Sequence, residues 1–82
     1  MSVGVSKKKP PKGRQILAAN MRARRAEIGI NQEKLAELAD RHRTYISTVE
    51  RSQRNVGIDG VERIATTLKV PMSQLLEEPS SK

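Results

Sequence analysis

Between His42 and Asn55 the chain reads HRTYISTVERSQRN. Helical spacing divides these side chains into two sets. Arg43, Thr44, Ser47, Thr48 and Arg51 share one face, while Ile46 and Val49, three apart, fall on the other. Arginine can grip guanine O6 and N7 with two parallel hydrogen bonds. Short hydroxyls can donate or accept at several base edges, and a threonine methyl can meet a thymine methyl. The chemistry on offer is recognition of base edges and phosphates rather than bond making. A solvated basic surface helix would carry the same residue types, and this stretch alone leaves both readings open.

The remaining composition argues against a catalytic site. There is no cysteine and a single histidine, so the chain has no thiolate nucleophile, no disulfide frame and no second soft ligand to complete a metal site with His42. The segment GIDG at 57–60 lacks the lysine and spacing of a phosphate-binding loop. No inward-facing pair of acidic residues suits acid–base work. The expectation is a protein that is not an enzyme and needs no cofactor or metal, with no small-molecule pocket evident.

The elements that must position the outer face are helical. The chain has 82 residues, one domain at most, and a single aromatic, Tyr45. Its core must be filled by aliphatic side chains and Ala, which suits small packed helices better than a sheet. RQILAANMRARRAEIG, from Arg14, places Leu17, Met21 and Ile28 on helical spacing, and Gly29 ends that helix. Asn31 stands as an N-cap before QEKLAELA, with Glu33 in the first turn and Leu35, Ala36, Leu38 and Ala39 as the expected buried face. Asp40 breaks the chain in a position that asks for a left-handed residue, and His42 falls at the N-cap of a third helix running to about Arg51. SQRNVG is a loop. Residues 58–68 form a fourth helix with Ile58, Val61, Ile64, Ala65 and Leu68 inward, weakened by Gly60, and MSQLLEE forms a short fifth. The fold expected is all-α: a compact five-helix domain containing a helix-turn-helix.

INQEKLAELA followed by RTYISTVERSQRN resembles the phage-repressor-like helix-turn-helix regulators. Within that group it looks most like the controller proteins of bacterial restriction–modification systems, and the resemblance covers about residues 15–76. It implies a sequence-specific double-stranded DNA-binding transcriptional regulator that acts as a dimer on a palindromic operator. It also implies roles residue by residue. Arg43, Thr44, Ser47 and Thr48 would meet base edges. Gln32, at the start of the second helix, would bind a phosphate and steady the recognition helix. Tyr45 would lie near the DNA backbone or the minor-groove edge, and Arg51, Arg54 and Asn55 would grip phosphates, which set register but do not choose sequence. Arg25 would pair with Glu50, so that a carboxylate is tolerated close to DNA. The turn departs from the family pattern, having Asp40 and Arg41 where a glycine and an aliphatic residue are usual. Arg41 then either lies along the surface or adds a phosphate contact.

Charge and ends complete the reading. Sixteen basic residues against nine acidic give +7, but Lys7, Lys8, Lys9, Lys12 and Arg14 sit together near the start. Residues 15–82 keep eleven basic against all nine acidic, so a nucleic acid must be met by a local patch with a tail. Residues 1–13 read as a disordered basic arm, 14–78 as the domain and 79–82 as a frayed tail. The arm either adds electrostatic affinity or simply solubilises. Val70, Met72, Leu75 and Leu76 crowd the end of the domain, and either cap the core or form a two-fold dimer interface. A dimer would set two recognition helices about 34 Å apart, facing successive major grooves. Apolar runs of at most four residues exclude a membrane span, and the opening residues lack a secretory signal, so a cytoplasmic location is expected. An antitoxin or another protein-interaction module on the same fold is the alternative. A general nucleic-acid coat is a third reading, against which the lack of surface aromatics counts.

Overall fold

The computed structural model describes residues 9–79. In that span the chain forms α1 (Lys12–Ile28), α2 (Gln32–Ala39), α3 (Arg43–Glu50), α4 (Ile58–Leu68) and α5 (Met72–Leu75), with no strand among the described residues. The expected arm at 1–8 and the tail at 80–82 lie outside the described residues. Helix α1 begins at Lys12, inside the stretch assigned to the arm. Pro11 has the backbone geometry of a residue entering a helix, and its carbonyl accepts from the Arg14 and Gln15 amides.

Helices of eight residues, as α2 and α3 are, have little stability of their own, so their ends and packing must hold them. Asn31 caps α2 with its side chain, accepting from the Lys34 amide at 2.8 Å. His42 occupies the corresponding place before α3, but its side chain makes no capping bond; its backbone carbonyl accepts from the Ile46 amide instead. The first four helices all leave by the same route. A residue with positive φ follows the helix, and the next amide reaches back five residues: Ile30 to Arg25, Arg41 to Ala36, Gln53 to Thr48 and Val70 to Ala65. Only the first of these left-handed positions is a glycine, Gly29; the others are Asp40, Ser52 and Lys69. Helix α5 ends at Leu75, earlier than MSQLLEE suggests, and Asn20 of α1 binds the carbonyls of Leu75 and Glu77, both at 2.8 Å.

The core joins Leu17 and Met21 of α1 to Leu35 of α2, Ile46 and Val49 of α3, Val61, Ile64 and Leu68 of α4, and Leu75 of α5. Three apolar residues expected on the inner faces are outside it: Ile28, the last residue of α1, which is 39% exposed, and Leu38 and Ile58. Leu38 is 53% exposed. The buried face of α2 runs from Leu35 through Ala39 to Ala36, and at about 100° per residue Leu38 lies roughly 100° from its middle. Ile58 is 63% exposed, because it opens α4 one turn before the first buried position, Val61. Conversely, Leu75 is 1% exposed within the single chain, so it belongs to the core and is not available as a dimer contact.

Gly60 proves to be a packing position. A Cβ there would stand 2.8 Å from Val56 Cγ1 and 2.9 Å from Tyr45 Oη. The residue that lowers the helix propensity of α4 makes room for the side chain that rises from α3.

Lys69 has an exposed side chain and a φ of 63°. A left-handed residue with a Cβ costs roughly 1–2 kcal/mol, against roughly 0.4–1 kcal/mol for the extra unfolded freedom of glycine. Lys69→Gly should therefore raise stability by about 0.5–1 kcal/mol, read as a higher urea midpoint with unchanged slope; an equal or lower midpoint would contradict this account of the helix end.

Candidate nucleic-acid interface

The inner side of α3 is fastened by its last residue. Glu50 is 3% exposed. Arg25 Nε donates to Glu50 Oε2 and Arg25 Nη2 to Oε1, both at 2.7 Å, a bidentate fork of the kind that fixes orientation as well as charge. Arg25 Nη1 also donates to the Ile30 carbonyl at 3.1 Å. Gln32 Nε2 donates to Glu50 Oε1 at 3.0 Å, and Arg22 Nη1 donates to the Glu50 backbone carbonyl. Two residues of α1 and one of α2 therefore hold the C-terminal end of α3. Hydrogen bonding to Glu50 raises the Arg25 guanidinium above its ordinary value, with burial opposing and the charge of Glu50 assisting.

The opposite side of α3 carries the side chains singled out for readout. Arg43 and Thr44 are exposed, with no hydrogen-bond partner among the described residues. Ser47 and Thr48 are half-buried. Arg51 Nη1 donates to Ser47 Oγ at 2.7 Å and Arg51 Nε to Gln53 Oε1 at 3.2 Å. Thr48 Oγ1 donates to the Tyr45 carbonyl at 2.8 Å and accepts from Arg54 Nε at 3.0 Å. The Arg54 guanidinium lies 4.9 Å from the centre of the Tyr45 ring and that of Arg41 lies 6.0 Å from it, two cation–π contacts on one aromatic. Asn55 is exposed in the following loop.

This arrangement brings Arg43, Thr44, Ser47, Thr48, Arg51 and Arg54 to one outward region. It turns Gln32 partly inward, onto Glu50. Arg41 lies at the surface with its guanidinium toward Tyr45. The sequence did not single out Arg22, and it offered Gly60 only as a weak point of α4 rather than as the space for Tyr45. An unpaired last-turn carbonyl calls for a donor, but nothing in MRARR says which arginine supplies it. Toward the C-terminal end of the chain Val70 and Met72 are partly buried against the core, while Leu76 is 45% exposed and lines a recess with Asn55 and Val56. Among the described residues no group of three or more His, Cys, Asp or Glu is placed to hold a metal, and no helix is long and apolar enough to cross a membrane.

A short helix with its inner face clamped, a three-residue turn before it and an arginine–hydroxyl outer face find their counterpart in known proteins. The family model described as helix-turn-helix matches residues 21–75. The chain belongs to the helix-turn-helix family. It is 41% identical over 69 residues to a hypothetical transcription factor of Neisseria meningitidis, a match covering 84% of this chain and 65% of that protein. The chain thus spans just under two thirds of that relative's length. It is 46% identical over 54 residues to control protein C.BamHI of Bacillus amyloliquefaciens, covering 66% of this chain and 67% of that one. The crystal structure of the restriction–modification controller protein C.AhdI from Aeromonas hydrophila superposes with a TM-score of 0.75 at 32% identity, covering 79% of this chain and 98% of that one. This chain is a helix-turn-helix protein related to restriction–modification controller proteins.

Removing one partner of the clamp strands a buried charge. Arg25→Met should lower stability by about 3–5 kcal/mol, and Arg25→Met with Glu50→Leu should recover much of that loss, because no charge is then left unpaired. Chemical denaturation of the two variants tests this; a double variant no more stable than the single one would mean that Glu50 acts through shape rather than charge.

Proposed function

We propose that the protein is a sequence-specific double-stranded DNA-binding transcriptional regulator that acts as a homodimer on a palindromic operator. The observation that carries the reading is the exposed Arg43–Thr44 pair beside Ser47 and Thr48, on a helix whose opposite side is held by Glu50. Helix α3 enters the major groove with Arg43, Thr44, Ser47 and Thr48 at base edges. Arg51, Arg54 and Asn55 meet phosphates beyond its end, and Tyr45 lies near the backbone. Gln32, Asn31, Glu33, Arg25 and Arg43 line a shallow recess at the start of α2, where amide N–H groups and the helix dipole favour a phosphate. The kinship with controller proteins supports a regulator of its own gene and of a restriction gene, working in the bacterial cytoplasm. A family of regulators points away from an enzyme.

A single short recognition helix supplies limited affinity, which favours two copies. The surface that supports a dimer is the end of the domain where Leu76 is exposed beside the partly buried Val70 and Met72. Leu75 serves the interior and takes no part. Sedimentation equilibrium should find the wild type dimeric at micromolar concentration and Leu76→Glu monomeric; a monomeric wild type would remove the palindromic-operator reading.

In-vitro selection of duplex DNA from a random pool, with Arg43→Ala beside the wild type, tests the base-reading role. The wild type should enrich a two-fold motif. Arg43→Ala should lose preference at one symmetric pair of positions, at a cost of about 1–3 kcal/mol per contact. Salt-dependent binding with no motif would move the protein to the coating class.

A further inference from the structure

The hydrogen bonds on the outer face of α3 have a polarity. Thr48 Oγ1 gives its one proton to the Tyr45 carbonyl at 2.8 Å, and the same oxygen receives Arg54 Nε–H at 3.0 Å. Ser47 Oγ receives Arg51 Nη1–H at 2.7 Å, and its own proton goes to no acceptor among the described residues. A hydroxyl has one donor and two lone pairs. Thr48 therefore has a lone pair left and no donor, whereas Ser47 still has its donor. Arg54 is itself seated, 4.9 Å from the centre of the Tyr45 ring, and the hydroxyl of that ring is packed over Gly60. Only Nε of Arg54 is committed to Thr48. Its terminal nitrogens remain for a phosphate, so one guanidinium can meet the DNA backbone and hold the Thr48 hydroxyl together.

We propose that Arg54 is a positioning residue for base readout. Acting through Thr48 Oγ1, it sets the hydrogen-bond polarity of the recognition helix. Thr48 accepts from a base amino group, adenine N6 or cytosine N4, while Ser47, held by Arg51, donates to a base acceptor such as N7, O6 or O4. The proposal rests on the operator-reading function above. Phosphate contacts ordinarily set register without choosing sequence. Here a phosphate-facing arginine is bonded to a base-facing hydroxyl, so a residue that touches no base alters which base is preferred.

The test is selection from a random duplex pool by the full-length wild type, Thr48→Val, Thr48→Ser, Arg54→Lys and Ser47→Ala, each first checked for native helix content and melting. Lysine keeps the charge at position 54 but has no Nε–H in a planar fork. Thr48→Val and Arg54→Lys should flatten the same symmetric pair of positions. Thr48→Ser, which keeps the hydroxyl, should retain the preference there, and Ser47→Ala should flatten a different pair. In the selected duplex, a base analogue lacking the exocyclic amino group at the Thr48 position should weaken wild-type binding about tenfold and leave Thr48→Val binding unchanged. The proposal is overturned if Arg54→Lys weakens binding evenly at every position. It is also overturned if Thr48→Val keeps the wild-type preference, since the methyl group would then be the reader. A wild type that binds duplex but enriches nothing sinks the operator reading itself, an outcome distinct from both.

Discussion

The buried carboxylate of Glu50 is the constraint around which the domain is arranged. It ends the helix whose outer face is basic, and it is almost wholly removed from solvent. A buried, unpaired carboxylate would cost several kcal/mol, so the fold must bring cations and donors to it. Arg25 does so with two charge-assisted bonds, and Gln32 adds a third. The consequence is geometric. Arg25 lies on α1, Gln32 opens α2 and Glu50 closes α3, so one cluster fixes the mutual placement of three helices. Orientation of the outer face of α3 follows from the fastening of its inner end.

The same logic extends to the other helix ends. Short helices leave a large share of their carbonyls without an internal partner. In this chain arginines take several of them: Arg22 binds the Glu50 carbonyl, Arg24 the Leu68 carbonyl at 2.9 Å, and Arg63 the Ala39 carbonyl at 3.2 Å. Each places a cation at the negative end of a helix dipole as well as satisfying an acceptor. By contrast, the surface pairs Lys12–Glu78 and Lys34–Glu37 join exposed side chains and contribute little. The arginine-rich composition is thus in part architectural.

How much of this was legible in the sequence depended on whether a local pattern decided it. The helices at 32–39, 43–50 and 58–68 carry their own periodicity and stop signals, and their bounds could be read to within a residue. The left-handed turn at Asp40 was legible for the same reason. The outer face of α3 was legible because Ile46 and Val49 fix which way the helix rolls. What failed was decided between elements. Leu38 looks like a core residue until the narrow face of Leu35, Ala36 and Ala39 is seen to be sufficient. Leu75 and Leu76 are identical in type and adjacent, yet one fills the interior and the other faces out. Gly60 looks like a flaw in α4, because the Tyr45 side chain that needs the space is fifteen positions away. The Arg25–Glu50 pairing was expected only through a family resemblance; spacing alone offers Arg22, Arg24 and Arg25 equally.

The division of arginines between framework and surface bears on how a domain with nearly balanced charge can face DNA. Beyond the basic stretch at its start, the chain holds only two more basic residues than acidic ones. Several of the basic ones are turned to helix ends and a buried carboxylate. Under the proposed DNA-binding role, the local patch on the domain itself would be Arg41, Arg43, Arg51 and Arg54, gathered around α3, beside whatever the basic stretch at the start contributes. Two of these four are already bonded to hydroxyls of the recognition helix, and two pack on its tyrosine. Such arginines lose less side-chain freedom on binding than solvated ones would, because part of their ordering is complete in the free protein. The economy has a structural cost. Under the proposed reading, cations that both meet the backbone and orient hydroxyls of α3 would not be exchangeable for lysines on charge alone, and affinity and sequence preference would be tied to the same few side chains.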